Sequence, residues 1–162
     1  MGVVFYCVFD SPIGDIVVGC NGKGLTDVHI DGDVYFRDIP ADWKRNEKNP
    51  ILTKACFQLN EYFDGKLKSF DLPIILNGTD TMIKVWRFLE GVGYGYTVSY
   101  KDIAIGISKE KGCRMVGNAV GRNRLSIVIP CHRVIRSDGD IGGYVAGAEK
   151  KKFLLDLEKK GY

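Results

Sequence analysis

No stretch of the chain runs to about 18 apolar residues, so no segment reads as a membrane-spanning helix. Histidine occurs only twice, as His29 and His132. The five cysteines, Cys7, Cys20, Cys56, Cys113 and Cys131, show none of the close pairing of a compact zinc motif. The first ten residues lack the basic region and cleavage site of a secretory signal. An odd number of cysteines in such a chain is expected to be reduced thiols, in the cytoplasm or, in a eukaryote, the nucleus. Cys7, Cys20 and His29 could approach one another across adjacent strands, but no fourth ligand is evident. Two buried cysteines and one surface histidine are expected there, with no metal and no cofactor.

What is present is ordinary globular material. The 162 residues are 45% apolar and 27% charged, enough for one or two small domains with a real core. The net charge of +3 is unevenly spread. Residues 1–76 carry 8 Lys and Arg against 11 Asp and Glu, and residues 77–162 carry 15 against 9. Between 109 and 136 stand Lys109, Lys111, Arg114, Arg122, Arg124, Arg133 and Arg136, opposed by Glu110 alone. A local excess of one sign suits an anionic partner such as nucleic acid, though a solvated helix face would also produce it.

The first half reads as a small antiparallel sheet with a covering helix. Val3–Asp10, Asp15–Cys20 and Leu25–Ile30 alternate as strands, with Pro12 and Gly14 in the first turn. Residues 31–49 are polar and read as a loop. Asn49-Pro50 then opens a helix carrying Leu52, Ala55, Leu59, Tyr62 and Phe63 at helical spacing, closed by Gly65. A boundary near Asp71-Leu72-Pro73 divides the chain into 1–76 and 77–162.

The second half is mostly helical. Thr79 caps a helix with Met82, Val85, Trp86 and Leu89 on one stripe. Ser99 and Asp102 form a capping box for the next. Residues Cys113–Gly121 form a short helix, so the pair has the form of a helix-turn-helix. Gly117, Ala119 and Gly121 are not there for helix propensity. Small residues permit close approach, either to another helix or to a nucleic-acid groove that is recognised by shape. A final amphipathic helix spans Ala148–Lys159. Its Glu158 falls on the inward face with Leu154, where a carboxylate needs a partner.

The chemistry centres on Ile127-Val128-Ile129-Pro130-Cys131-His132-Arg133-Val134. A β-branched run reads as a strand that stops at Pro130. A thiol, an imidazole and a guanidinium follow in succession. An imidazole can take the thiol proton and a positive field favours the thiolate. A bare Cys-His pair is more often an inert buried cysteine beside a structural histidine.

Pro130 to Val134 resembles the active-site signature of the O6-alkylguanine-DNA alkyltransferases. The similarity extends over 77–162 through Gly78-Thr79, Val85-Trp86, Tyr94-Gly95, Thr97, Ser99-Tyr100, Arg114, Val116-Gly117, Gly121, Asn123, Gly143-Tyr144, Leu154-Leu155 and Glu158. The first half resembles that family's variable N-terminal domain, a ribonuclease-H-like sheet with helices. The resemblance therefore implies an α+β protein whose C-terminal half holds a helix-turn-helix and the reactive cysteine. It implies irreversible repair of O6-alkylguanine, and of O4-methylthymine, in double-stranded DNA by a monomer consumed in one transfer.

The roles it implies follow residue by residue. Cys131 accepts the alkyl group, and His132 takes the thiol proton through a water held with Glu158. Tyr100 donates a proton toward the leaving guanine. Asn123 braces the active-site turn. Arg114 fills the duplex after the base is flipped out. Gly117, Ala119 and Gly121 press on the groove, with Arg122, Arg124 and Arg133 as further DNA contacts. Tyr100, Met115, Val134, Tyr144, Val145 and Ala146 line the base pocket. Arg124 stands where the family usually has proline, and Val145-Ala146 replace a small polar residue and glycine, which bears on pocket width. A non-catalytic damage binder, a cysteine hydrolase and a helix-turn-helix regulator are the competing readings.

Overall fold

The computed structural model describes residues 2–161 and is a mixed α+β fold. Strands β1 (Phe5–Ser11), β2 (Gly14–Cys20) and β3 (Leu25–Ile30) form an antiparallel meander. The β1–β2 turn closes on Gly14 at φ +102°, a conformation that favours glycine, while the Ser11 hydroxyl accepts from the Ile13 amide. The segment 31–49 is not wholly irregular. Its residues Lys44–Arg45, β4, pair in parallel with β1, so the sheet order is β3-β2-β1-β4.

The outer edge of β3 would be a bare row of backbone groups. The end of the first half, at residues 73–75, and residues 124–126 of the second half cover it. The Leu25 amide donates to Pro73 O (2.7 Å), the Val28 amide to Arg124 O (2.7 Å), and the Ser126 amide to Val28 O (3.1 Å). Residues 124–126, just upstream of Cys131, are thereby registered on the sheet.

Helix α1 (Pro50–Phe63) begins with Asn49 Oδ1 accepting from the Ile51 and Leu52 amides, and packs Leu52, Ala55, Leu59 and Tyr62 under β1 and β2. Helix α2 (Asp80–Glu90) is capped by Thr79 and buries Val85, Trp86 and Leu89. Residues Val98–Ser99 form β5, and α3 (Tyr100–Gly106) starts in the expected Ser99–Asp102 capping box. Helix α4 (Cys113–Gly121) completes the helix-turn-helix against α2 and α3. A short parallel pair joins β5 to β6 (Val134–Ile135), and α5 spans Ala148–Lys160. One hydrophobic core runs through both halves, from Ile16 and Leu59 to Ile103, Ile129 and Leu154.

The β-branched run before Pro130 does not form the expected strand. Asn123 accepts from the Leu125 amide (2.9 Å) and donates to Ile129 O (2.9 Å), folding residues 123–129 into a closed loop. Within it the Val128 amide donates to Ser126 O around Ile127, whose φ is +72°. That γ-turn hand is rare and strained for any residue, and more so for a β-branched one. A second, inverse γ-turn around Pro130 (φ −80°, ψ 65°) carries the chain into a 3-10 turn at Cys131–Arg133. Local propensity loses here to a side chain that satisfies both backbone groups at once.

His29 also departs from expectation, being buried rather than on the surface. Its Nε2 lies 2.8 Å from Asp27 Oδ1 and its Nδ1 3.2 Å from Asp33 Oδ2, and Phe36 stacks on the ring at 3.9 Å. Cys7 meets Cys56 (Sγ to Sγ 3.2 Å), not Cys20, and the described residues hold no metal-ligating cluster. Arg124 reaches across from the second half to the same Asp27 oxygen, with Nε at 3.0 Å and Nη2 at 2.8 Å.

Burial opposes a charge on His29, but Asp27 and Asp33 outweigh it and raise its pKa above the ordinary value. A raised folded-state pKa contributes stability that is complete below the unfolded value of about 6.5 and is lost as pH rises through the folded one. His29→Gln should therefore lower the melting temperature by several degrees at pH 6. The gap from wild type should shrink as pH rises through the raised folded-state value. A gap independent of pH in thermal denaturation would contradict a charged His29.

Candidate active site

Cys131 lies in the wall of a cavity of about 250 Å³. Tyr100 from α3, Gly117, Val120 and Gly121 from α4, and Gly143, Tyr144 and Val145 from the loop before α5 surround it. The cavity is small beside the ~300–1,000 Å³ of sites for drug-sized ligands, and suits a single planar base. Gly117 turns its Cα toward the Tyr100 ring; a Cβ there would stand 3.8 Å from it. A larger concavity of about 720 Å³ lies on the first half beside His29 and Asp33, and no cysteine, serine or threonine lines it.

Behind the thiol, the 3-10 turn points His132 and Arg133 inward onto Glu158. His132 Nε2 lies 2.6 Å from Glu158 Oε2. Arg133 Nε donates to Oε1 (2.8 Å) and Nη2 to Oε2 (3.0 Å), while Nη1 donates to Val92 O (2.6 Å). The Tyr62 hydroxyl, from α1 in the other half, donates to Oε2 at 2.6 Å. The Gly95 amide adds a contact of 3.3 Å to Oε1. Burial alone would raise the Glu158 pKa, but His132 and Arg133 hold it well below the usual carboxylate range. With Nε2 engaged by an ionised carboxylate, Nδ1 of His132 is the nitrogen left to accept a proton; it is buried and has no hydrogen-bond partner among the described residues.

Burial lowers the pKa of His132 and raises that of Cys131. Asn123, Tyr144 and Lys151 pull the thiol only partly back down. At neutral pH the resting pair is thus an uncharged thiol beside a neutral imidazole. The positive field suggested by the sequence does not prevail over burial. The arrangement is a protonated thiol with an uncharged imidazole in the same turn.

Several expected site residues sit elsewhere. Arg133 is 6% exposed and spent on Glu158 and Val92, so it offers nothing to DNA. Arg124 pairs with Asp27 while its side chain stays about half exposed. Ala119 is buried, and its carbonyl accepts from Trp86 Nε1 (2.9 Å), so it belongs to helix packing. Val134 is buried in the β5–β6 pair, and Met115, Val134 and Ala146 do not line the cavity. Glu158 meets His132 directly. Arg114 is exposed on the first turn of α4, and Arg122 is exposed with its guanidinium 4.3 Å from the centre of the Tyr35 ring.

Lys151 and Tyr62 join the site unannounced. Lys151 is 1% exposed, with Nζ donating to Val134 O (2.6 Å) and Gly143 O (3.1 Å), and burial brings its pKa down to about 8. Positions 151, 154 and 158 share one helical face, which is the pattern that marks it. Tyr62 reads only as a core residue of α1, since nothing local reveals a partner 96 residues away.

Residues 4–76 match the family model described as the ribonuclease-like domain of 6-O-methylguanine DNA methyltransferase, and residues 80–160 match that of its DNA-binding domain. The methylated-DNA–protein-cysteine methyltransferase of Methanosarcina barkeri is 45% identical over 156 residues, 96% of this chain and 98% of its own. The constitutive one of Bacillus subtilis is 36% identical over 98% of this chain and 97% of its own. The crystal structure of Mycobacterium tuberculosis OGT in complex with DNA superposes with a TM-score of 0.90 at 37% identity, covering 97% of this chain and 94% of that one.

Arg133→Ala should strip the main counter-charge from a buried carboxylate, at a cost of about 3–5 kcal/mol in urea denaturation. Arg133→Lys should recover only part of it, because an ammonium cannot fork onto both oxygens. A loss under ~1 kcal/mol for the alanine variant would remove the pair from the list of stabilising contacts.

Proposed function

The chain belongs to the 6-O-methylguanine DNA methyltransferase family, and on that premise we propose the route by which its buried cysteine takes an alkyl group from DNA. The protein is a methylated-DNA–protein-cysteine methyltransferase that acts on duplex DNA and carries the transferred group on its own cysteine. The observation that carries the route is the position of Cys131 in a base-sized cavity, with His132 and Glu158 directly behind it.

A thiol in that position cannot meet an atom inside a stacked duplex, so the damaged nucleotide is turned out into the cavity. The exposed Arg114 on α4 occupies the space it leaves, and Gly117 and Gly121 allow the helix to lie close in the minor groove. His132 Nδ1 takes the Cys131 proton through a bridging water, and Glu158 stabilises the imidazolium. The thiolate attacks the alkyl carbon; the carbon–sulfur bond forms as the carbon–O6 bond breaks, and the electron pair leaves on guanine. Tyr100 supplies a proton to the departing base, so that guanine leaves neutral. O4-methylthymine presents the same alkyl–oxygen bond and fits the same route. The thioether has no hydrolytic exit, so each molecule acts once, as a monomer.

No helix among the described residues is long and apolar enough to cross a membrane. The compartment that goes with this reading is the one that holds the DNA: the cytoplasm, or the nucleus of a eukaryotic cell.

Mixing the protein with one equivalent of O6-methylguanine duplex should add a single CH₂ to Cys131 by intact-mass and peptide analysis. Cys131→Ser should abolish the adduct and leave binding to alkylated duplex nearly unchanged. Repeated turnover, or an adduct on another residue, would refute the route. Arg114→Ala should slow duplex repair tens-fold and leave reaction with the free alkylated base within a few-fold, since the free base needs no unstacking. Equal slowing of both would place Arg114 in the thiol's environment and end its role in the duplex.

A further inference from the structure

The loop after β3 belongs to the half of the chain that carries no chemistry, yet it reaches the active site. Val34 and Tyr35 line the same cavity as Cys131. The Val34 amide donates to Val145 O (3.1 Å), which joins this loop by main chain to the loop that carries Tyr144 and Val145. Tyr35 is pinned under the Arg122 guanidinium at the end of α4. Both residues remain 56% exposed, as befits the rim of a site open to a macromolecule.

This rim is held firmly from behind. The Asp33 carboxylate accepts from the Tyr35 amide (2.8 Å) and contacts His29, which in turn contacts Asp27, the partner of Arg124. Phe36, on the far side of Tyr35, stacks on the His29 ring. The buried histidine and the unexpected Arg124 ion pair thus share one structural effect, a fixed position for residues 33–36. Such anchoring is more than loop closure requires, since exposed loops are ordinarily mobile.

We propose that Val34 and Tyr35 are specificity-determining residues, forming a wall from the N-terminal half that limits the size of the alkyl group transferred to Cys131. The inference rests on the reading of Cys131 as alkyl acceptor. A methyl group ends at the reacting carbon and needs no room beyond it. A benzyl group extends further, and in a cavity this small its ring must pack among the lining side chains. Val145 narrows the same space, and its main-chain bond to Val34 prevents the two sides from separating freely. Pocket contacts of one or two methyl groups change relative rates by about 10–200-fold, the scale expected of such a wall.

The test compares duplexes of one sequence containing either O6-methylguanine or O6-benzylguanine, so that DNA contacts cancel in the ratio of rates. Val34→Ala should raise the benzyl-to-methyl ratio tenfold or more, and Val34→Phe should lower it tenfold. Tyr35→Ala should raise it as well, which keeps the inference open to refutation if a Val34 variant fails to fold. If the wild type transfers no benzyl group at all, Val34→Ala or Tyr35→Ala must give measurable benzyl transfer. A ratio within twofold of wild type in the folded variants, or proportional loss of both reactions, would overturn the wall. A wild-type protein that gains no methyl on Cys131 would overturn the underlying reading instead.

Discussion

The carboxylate of Glu158 is the point on which the rest of the structure depends. Tyr62 from α1, the Gly95 amide, His132 and both ends of the Arg133 fork converge on its two oxygens. A buried carboxylate with one partner would be a liability, because desolvation exceeds what a single contact returns. Here every acceptor position is used, and the charge is retained. The same contacts fasten α5 to the Cys131 turn and the first half of the chain to the second. Folding and, on the proposed route, proton transfer therefore share one interaction.

That arrangement resolves a conflict built into the chemistry. A thiolate strong enough to displace guanine from an alkyl carbon would also be open to oxidation and metal capture. Burial raises the Cys131 pKa and lowers that of His132, so the thiol is protonated and the imidazole neutral at rest. Lys151 and Asn123 favour the anion when it forms, and Lys151 simultaneously ties Val134 to Gly143 on either side of the thiol. On the proposed route, activation comes from a proton moving within the site rather than from a permanent field.

The DNA-facing surface is narrower than its charge suggests. Of the seven cations between 109 and 136, Arg133 is consumed inside the protein and the half-exposed Arg124 is paired with Asp27, while Lys109, Lys111, Arg114, Arg122 and Arg136 are exposed. The small residues of α4 divide in the same way. Gly117 and Gly121, four apart, face the cavity, while Ala119 lies on the opposite side against Trp86. Closeness in sequence cannot separate these roles, because a helix turns its faces by about 100° per residue.

The sequence by itself determined most of the elements and the chemical class. Its strand alternation, the Asn49 and Ser99 caps and the helical stripes reappear at nearly the same boundaries, since each depends on neighbours within a few residues. Cys131 and His132 are adjacent in the chain, and the helical phase of Glu158 was enough to bring it inward. What only the tertiary structure decided are the contacts made across long separations. The partners of Arg133, the burial of His29, the entry of Tyr62 and of the Val34–Tyr35 loop into the site, and the positive φ of Ile127 were of this kind. A local pattern states which side chain seeks burial or a counter-charge. Which of several equivalent partners meets it is settled when distant segments compete for the same buried space, and that competition has no local trace.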